Sequence, residues 1–170
     1  MNITIRLLEA RDIQRLASAF VNTVWNTPAS LFERFLAEQD SGERVVLVAY
    51  SDEDLAGYVT IKWQSDYPPF AEKAVPEIND IRILPAFRRC GIASALLDEA
   101  EKRIFERSRT AGIGVGTYAD YGAAQRMYVL RGYVPDGLGL FYKVQHVRLG
   151  QEVCVDDDLI LYLTKECNQK

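Results

Sequence analysis

Residues 77–94 read EINDIRILPAFRRCGIAS, and this segment predicts a strand, a basic loop and the start of a helix. Alternating side chains over residues 77–84 predict a strand, which stops at Pro85 because proline has no N–H to pair. A short basic loop follows, and Gly91 opens a helix predicted over residues 91–105. The first turn of a helix has unpaired backbone N–H groups and about half a positive charge. The segment therefore predicts an anion-binding helix start.

The residue types around this helix start suit a bound anion, and they also suit a tightly packed turn without a ligand. Gly91 and Ala93 leave room for a pyrophosphate beside the backbone, while Arg88 and Arg89 add positive charge. Taken alone, these residues leave both interpretations open. The segment contains neither GxGxxG nor GK[ST], so it is neither a dinucleotide fingerprint nor a Walker loop.

Two motifs together resemble one family. Residues 88–93 follow the pattern Arg88-x-x-Gly91-x-Ala93, which resembles the R/Q-x-x-G-x-G/A signature of the GNAT superfamily of acetyl-CoA-dependent N-acetyltransferases. Residues 124–133, AQRMYVLRGY, resemble the A-x-x-x-Y-x-x-x-G-F element of the same superfamily. Elsewhere, apolar spacing predicts helices from Asp12 onward, over about 29–38 and over 123–130, and residues 64–75 are predicted to be a loop. The order of predicted elements from residue 2 to residue 164 extends the resemblance over nearly the whole chain.

The resemblance implies a fold and a co-substrate. It implies one GNAT-like α/β domain over residues 1–170, with a mixed, mostly antiparallel sheet of about six to seven strands and about four flanking helices. It also implies that the helix start binds the pyrophosphate of acetyl-CoA and that the strand edge at 81–83 pairs with the pantetheine arm. The cofactor-binding residues so assigned are Ile81, Ile83, Arg88, Arg89, Cys90, Gly91, Ile92, Ala93, Ser94, Tyr121 and Ala124. Many relatives have asparagine where this chain has Tyr121, so the cofactor contact assigned to Tyr121 departs from the family pattern.

Acetyl transfer to an amine requires the removal of one proton and the donation of another. An alkylammonium has a pKa of about 10.4, so little of it is nucleophilic at neutral pH, and the departing thiolate must be protonated. The resemblance assigns the role of proton donor to Tyr128. The alternative is that Tyr128 only packs beside the cofactor. Glu77 is the candidate base, since strict alternation places it on one face with Asn79, Ile81 and Ile83. Alternatively, Glu77 is an ordinary surface carboxylate, and the amine loses its proton through water or the backbone.

Composition and charge exclude several classes of function. The 170 residues are 48% hydrophobic, with a net charge of −4 and a pI near 5.1, so a nucleic-acid partner is not expected. No apolar run approaches the roughly 20 residues of a membrane span, and no membrane partner is expected. The three cysteines contain no CxxC pair, which favours a cytoplasmic location. His146 is the single histidine, which excludes a histidine-based zinc site, so no metal is expected.

Several other features receive structural interpretations. Residues 112–116, GIGVG, predict a strand that a helix or the cofactor arm approaches closely. Cys90 is interpreted as lining the helix start, His146 as a surface residue and residues 156–158 as a solvated turn. The aromatic residues that could contact a substrate or complete the core are Trp63, Tyr67, Phe70, Tyr118, Tyr121, Phe141 and Tyr142.

Three functions stay open at this point. They are acetylation of a small amine, acetylation of a protein N-terminus or lysine, and coenzyme A sensing without catalysis. The sequence also leaves open whether the chain acts as a monomer or as a homodimer.

Overall fold

The computed structural model describes residues 2–167, which form five α-helices and eight strands. The helices are α1 (Ile13–Phe20), α2 (Ala29–Asp40), α3 (Pro68–Glu72), α4 (Ile92–Phe105) and α5 (Gly122–Leu130). The strands are β1 (Ile3–Leu7), β2 (Arg44–Ser51), β3 (Asp54–Lys62), β4 (Glu77–Ile83), β5 (Thr110–Gly116), β6 (Val134–Tyr142), β7 (Gln145–His146) and β8 (Leu159–Glu166). The predicted α/β fold is therefore confirmed, with one strand and one helix more than expected.

The first of two compact units comprises Met1–Trp63 and Ile78–Arg103. Its strands neighbour one another in the order β1-β2-β3-β4, and both β1/β2 and β2/β3 are antiparallel. The apolar sides of α1 and α2 are buried, and Tyr58 of β3 lies edge-on to Phe20 and Phe32 at centroid distances of 5.4 and 5.3 Å. Full burial of a side chain such as phenylalanine contributes roughly 1.5–3 kcal/mol, so these rings stabilise the core of this unit.

The second unit comprises Gln64–Glu77 and Ile104–Lys170. Its strands neighbour one another in the order β5-β8-β6-β7, and each of these pairs is antiparallel. Tyr67 stacks on Tyr162 with ring centroids 3.6 Å apart and an interplanar angle of 5°. Phe70 and Phe141 meet Tyr67 edge-on. Tyr67, Phe70 and Phe141 therefore complete the core of this unit, which settles one of the alternatives left by the sequence.

The two additional elements have simple physical origins. Residues 64–75 were predicted to be a loop, but Pro68 and Pro69 lie in the first turn of α3, where a missing N–H costs nothing. Burial of the Phe70 ring then fixes this short helix. The strand β7 has two residues, Gln145 and His146, which is too short to produce an alternating pattern.

Residues 2–167 contain neither a membrane-spanning helix nor a cluster of metal-ligating side chains. No helix in this range has the length and apolar character needed to cross a membrane. Within the same range, no three or more His, Cys, Asp or Glu side chains are grouped so as to hold a metal ion.

Candidate active site

The connection from β4 to α4 has the backbone geometry of an open helix start. The Leu84 N–H donates to the Ala56 carbonyl at 2.9 Å, and residues 85–87 form one 3-10 turn. Arg89 and Gly91 then adopt left-handed conformations with φ of 60° and 81°. A side chain is strained at such a φ, and this accounts for the glycine at position 91. A Cβ placed on Gly91 would meet no atom within 4 Å, so the space above it is open.

The predicted pyrophosphate-binding residues surround this opening. Ile92 is buried and anchors the first turn of α4, whereas Arg88, Arg89, Gly91 and Ser94 are exposed. Ala93 and Cys90 are partly buried, and the Cys90 thiol donates to the Arg88 carbonyl at 3.4 Å. The exposed cations and open backbone fit a phosphate anion, whose charge the N-terminal end of a helix favours.

Trp25 is a residue near this loop that the sequence analysis did not identify. It lies in the connection between α1 and α2, and its ring is 5.5 Å from the Arg82 guanidinium and 5.7 Å from that of Arg88. Arg82 also donates to Thr27 Oγ1 at 2.6 Å and pairs with Asp80 at 2.6 Å. The α1–α2 connection is thereby bonded to β4. A tryptophan in a loop has no pattern that would have indicated these contacts.

The strand β4 is not regularly extended along its length. Asp80 adopts φ of 52°, in the left-handed region, and accepts a hydrogen bond from the Tyr58 hydroxyl at 2.9 Å. A left-handed residue inside a strand is typical of a bulge, where alternation of side chains is interrupted. The strict alternation that placed Glu77 on one face with Ile81 and Ile83 therefore does not extend through Asp80. Both isoleucines are partly buried.

Glu77 is buried, with 6% of its surface exposed, so the interpretation as a surface carboxylate is wrong. Its Oε2 accepts a hydrogen bond from the Ser65 hydroxyl at 2.5 Å. Burial raises the pKa of Tyr162, and the negative charges of Glu77, Asp66 and Asp136 raise it further. Glu77, Asp66 and Asp136 are thus three carboxylates of the second unit that act on the same tyrosine.

Tyr128 lies on α5 with 3% of its surface exposed, and its ring is 6.1 Å from that of Tyr133. Burial raises the pKa of the Tyr128 phenol, which therefore stays protonated at neutral pH. Among the described residues, none forms a hydrogen bond with its hydroxyl. The motif that predicted Tyr128 thus leads to a buried phenol that retains its proton.

Tyr121 makes contacts that the family's usual asparagine could not make. Its hydroxyl donates to Asp157 Oδ1 at 3.0 Å, and the Tyr118 hydroxyl donates to the same oxygen. A Cβ added to Gly116 would lie 2.4 Å from the Tyr121 ring. Ala124, one turn into α5, is partly buried.

The prediction that the glycines of β5 are approached closely is confirmed, and the groups that approach them are side chains. A Cβ added to Gly112 would lie 2.3 Å from the Phe70 ring, and one added to Gly114 would lie 2.9 Å from Ile160. His146 is exposed on β7, as predicted. Residues 156–158 form a turn before β8, in which the Asp158 N–H donates to Asp156 at 2.9 Å, as predicted.

Comparisons with known proteins agree with this architecture. A family model described as the acetyltransferase (GNAT) family matches residues 10–133. No significant match was found among curated proteins. The ribosomal-protein-alanine N-acetyltransferase from Brucella melitensis is 20% identical, with a TM-score of 0.70 over 96% of this chain and 99% of that one.

Two further solved structures share the fold. The PaiA N-acetyltransferase from Thermoplasma acidophilum, solved in complex with coenzyme A, is 15% identical, with a TM-score of 0.67 over 98% of this chain and 100% of that one. The spermidine/spermine N-acetyltransferase from Vibrio cholerae is 16% identical, with a TM-score of 0.67 over 96% of this chain and 92% of that one. At these identities the likeness shows a common fold.

Proposed function

The chain belongs to the acetyltransferase (GNAT) family, and we propose that it is an N-acetyltransferase. It would transfer the acetyl group of acetyl-CoA to the primary amine of a small molecule. Residues 1–170 would act as one catalytic domain, with direct attack of the amine in a ternary complex.

The open helix start at Gly91 carries the proposal for acetyl-CoA. The glycine has a left-handed backbone with free space above it, and two exposed arginines precede it. We assign the pyrophosphate to the N–H groups of residues 89–94, since such groups bind phosphate at helix N-termini. Ile81 and Ile83 would pair with the pantetheine arm. One structural neighbour, the PaiA enzyme, was solved with coenzyme A.

Glu77 and Tyr128 are assigned the two proton transfers. Glu77 accepts a proton from the ammonium, directly or through one water. The neutral nitrogen attacks the acetyl carbonyl carbon, so a C–N bond forms and the C–S bond breaks. Tyr128 donates its phenolic proton to the departing thiolate and recovers the proton that the new amide nitrogen sheds. Glu77 releases its proton to solvent, and one proton is released per turnover.

The acidic surroundings of Glu77 favour a cationic acceptor. The carboxylates of Glu77, Asp66 and Asp136 all act on Tyr162, so an ammonium group would be attracted to this region. One structural neighbour is named for spermidine and spermine, which are small amines. Another is named for a ribosomal protein alanine, and this favours a peptide N-terminus as the second candidate.

A thiol-release assay with acetyl-CoA tests the proposal. We expect turnover with at least one small amine in a panel of polyamines, amino sugars and aminoglycosides. Turnover with peptides alone would favour the second candidate. Coenzyme A binding without turnover in either panel would contradict both candidates and favour a sensor.

A further inference from the structure

We infer that Ser65 is a positioning residue for Glu77, an inference that rests on the role proposed above for this glutamate. Ser65 lies between β3 and α3 with 4% of its surface exposed. It bonds to the carboxylate from a segment twelve residues earlier in the chain. The sequence gives no indication of this contact.

The bonds of Ser65 fix the direction of its hydroxyl proton. The Tyr67 N–H donates to Ser65 Oγ at 2.9 Å, and an N–H group can only donate. Ser65 therefore accepts on that side and keeps its single proton available for Glu77 Oε2, 2.5 Å away. An ionised carboxylate can only accept, so Ser65 is the donor in this bond whenever Glu77 is ionised.

The backbone that carries this serine is held by the core of the second unit. Tyr67 is fully buried, stacks on Tyr162, and donates its hydroxyl to Asp136 at 2.7 Å. Ser65 could turn away from Glu77 only if its bond to the Tyr67 N–H were broken. Because Tyr67 itself is fixed, Glu77 Oε2 is held in one orientation.

Burial explains why a donor matters at this position, because Glu77 has only 6% of its surface exposed. Burial disfavours an ionised carboxylate, whereas a donated hydrogen bond favours it. The bond from Ser65 therefore favours the ionised form of Glu77, which is the form that can accept the proton of the ammonium.

The main test is the pH profile of kcat/KM for Ser65→Ala and Ser65→Thr. We expect the acid limb of the Ser65→Ala profile to move upward by about 0.5–1 pH unit, because the ionised form of the base loses a donor. The rate at neutral pH should fall by roughly three- to tenfold. Ser65→Thr keeps a hydroxyl and should restore the limb of the natural protein. If Ser65→Ala fails to fold, Ser65→Cys, a weaker donor of similar size, should show a smaller upward shift.

Ser108 provides a matched control. Its hydroxyl accepts from the Thr110 N–H at 3.2 Å and donates to the Thr110 carbonyl at 2.8 Å, so it makes the same turn without a carboxylate. Ser108→Ala should lower stability without moving the limb. If the acid limbs of the Ser65→Ala and Ser108→Ala profiles had the same midpoint, the inference would be overturned.

A measurement independent of turnover separates this inference from the proposed function. The Glu77 carboxyl carbon can be titrated by 13C NMR, with Glu77→Gln used to assign its signal. We expect the midpoint of this titration to rise in Ser65→Ala. An unchanged midpoint would overturn the role of Ser65 even in an active enzyme. Absence of turnover in the natural protein, or full activity of Glu77→Gln, would instead remove the catalytic role on which the inference rests.

Discussion

The Arg88 guanidinium lies 5.7 Å from the centre of the Trp25 ring, so a tryptophan of the α1–α2 connection lies beside the basic loop that precedes α4. A cation over an aromatic face is stabilised by about 0.5–1 kcal/mol at exposed sites. We therefore expect Trp25→Ala to weaken coenzyme A binding by about two- to fivefold, because Arg88 loses the contact that orients it. Isothermal titration calorimetry measures this change.

A double-mutant cycle shows whether Trp25 acts through Arg88. In an Arg88→Ala background, Trp25→Ala should have no further effect on the dissociation constant. Additive losses from the two substitutions would show that Trp25 affects binding by another route.

Gly91→Val should weaken coenzyme A binding by tenfold or more, on the order of 1.4 kcal/mol. The side chain would occupy the space proposed for the pyrophosphate, at a position whose φ of 81° also strains any β-branched residue. Gly42 is a matched control, since it has the same φ and no atom within 4 Å of an added Cβ. Gly42→Val should cause similar strain, measured as a lower Tm, and leave the affinity unchanged. Equal affinities for the two variants would contradict the assignment of the helix start to the pyrophosphate.

Tyr128→Phe should lower kcat by about 100-fold, the lower end of what a positioned general acid contributes. The dissociation constant of coenzyme A should change by less than about twofold, because the ring that packs beside Tyr133 is retained. Within residues 2–167 the lost hydroxyl has no hydrogen-bond partner, so the Tm should also be maintained. Steady-state kinetics that show an unchanged kcat would remove Tyr128 from the donor role.

Asp12→Asn should destabilise the fold by about 2 kcal/mol at neutral pH, since hydrogen bonds to a charged group contribute about 1.5–3 kcal/mol. Asp12 is buried, and it accepts from Arg6 at 2.6 Å and from Tyr50 at 2.6 Å. Burial raises the pKa of Asp12, but hydrogen bonds from Arg6 and Tyr50 outweigh it and leave the pKa below its ordinary value.

The pH dependence of this effect follows from the direction of the shift. A carboxyl whose pKa is lowered by folding stabilises the protein above its unfolded pKa of about 3.9, and this contribution is lost as the pH falls toward the folded pKa. The test is therefore the free energy of unfolding in urea, measured from pH 7 to pH 3. The difference in this free energy between Asp12→Asn and the natural protein should shrink below about pH 4. A constant difference over this range would mean that the charge of Asp12 is not its source.

Much of the backbone architecture could be predicted from local patterns. The helices α1, α2, α4 and α5 all begin within one residue of the predicted positions. Each carries an apolar stripe or a cap that a window of a few residues reveals. The helix α3 was missed because its two prolines are also typical of loops, and only burial of Phe70 in the core distinguishes the two cases.

The candidate site was predictable where a motif fixes the backbone and unpredictable where side chains from distant segments meet. The motif identified Gly91 as the residue that opens the helix, and the structure places α4 directly after it. The contacts of Trp25 with Arg82 and Arg88, and of Ser65 with Glu77, join segments at least twelve residues apart. No local pattern encodes such pairs, because they depend on how the core packs.

The left-handed backbone at Asp80 has a consequence for how this enzyme could diversify. It divides β4 into two short segments, one containing Glu77 and the other containing Ile81 and Ile83. Because side-chain alternation is interrupted between them, the face on which side chains lie is determined separately in each segment. Substitutions near Glu77, the residue proposed as the base, should therefore leave the orientation of the residues proposed for the pantetheine arm unchanged. The acceptor preference could then change independently of the acyl donor.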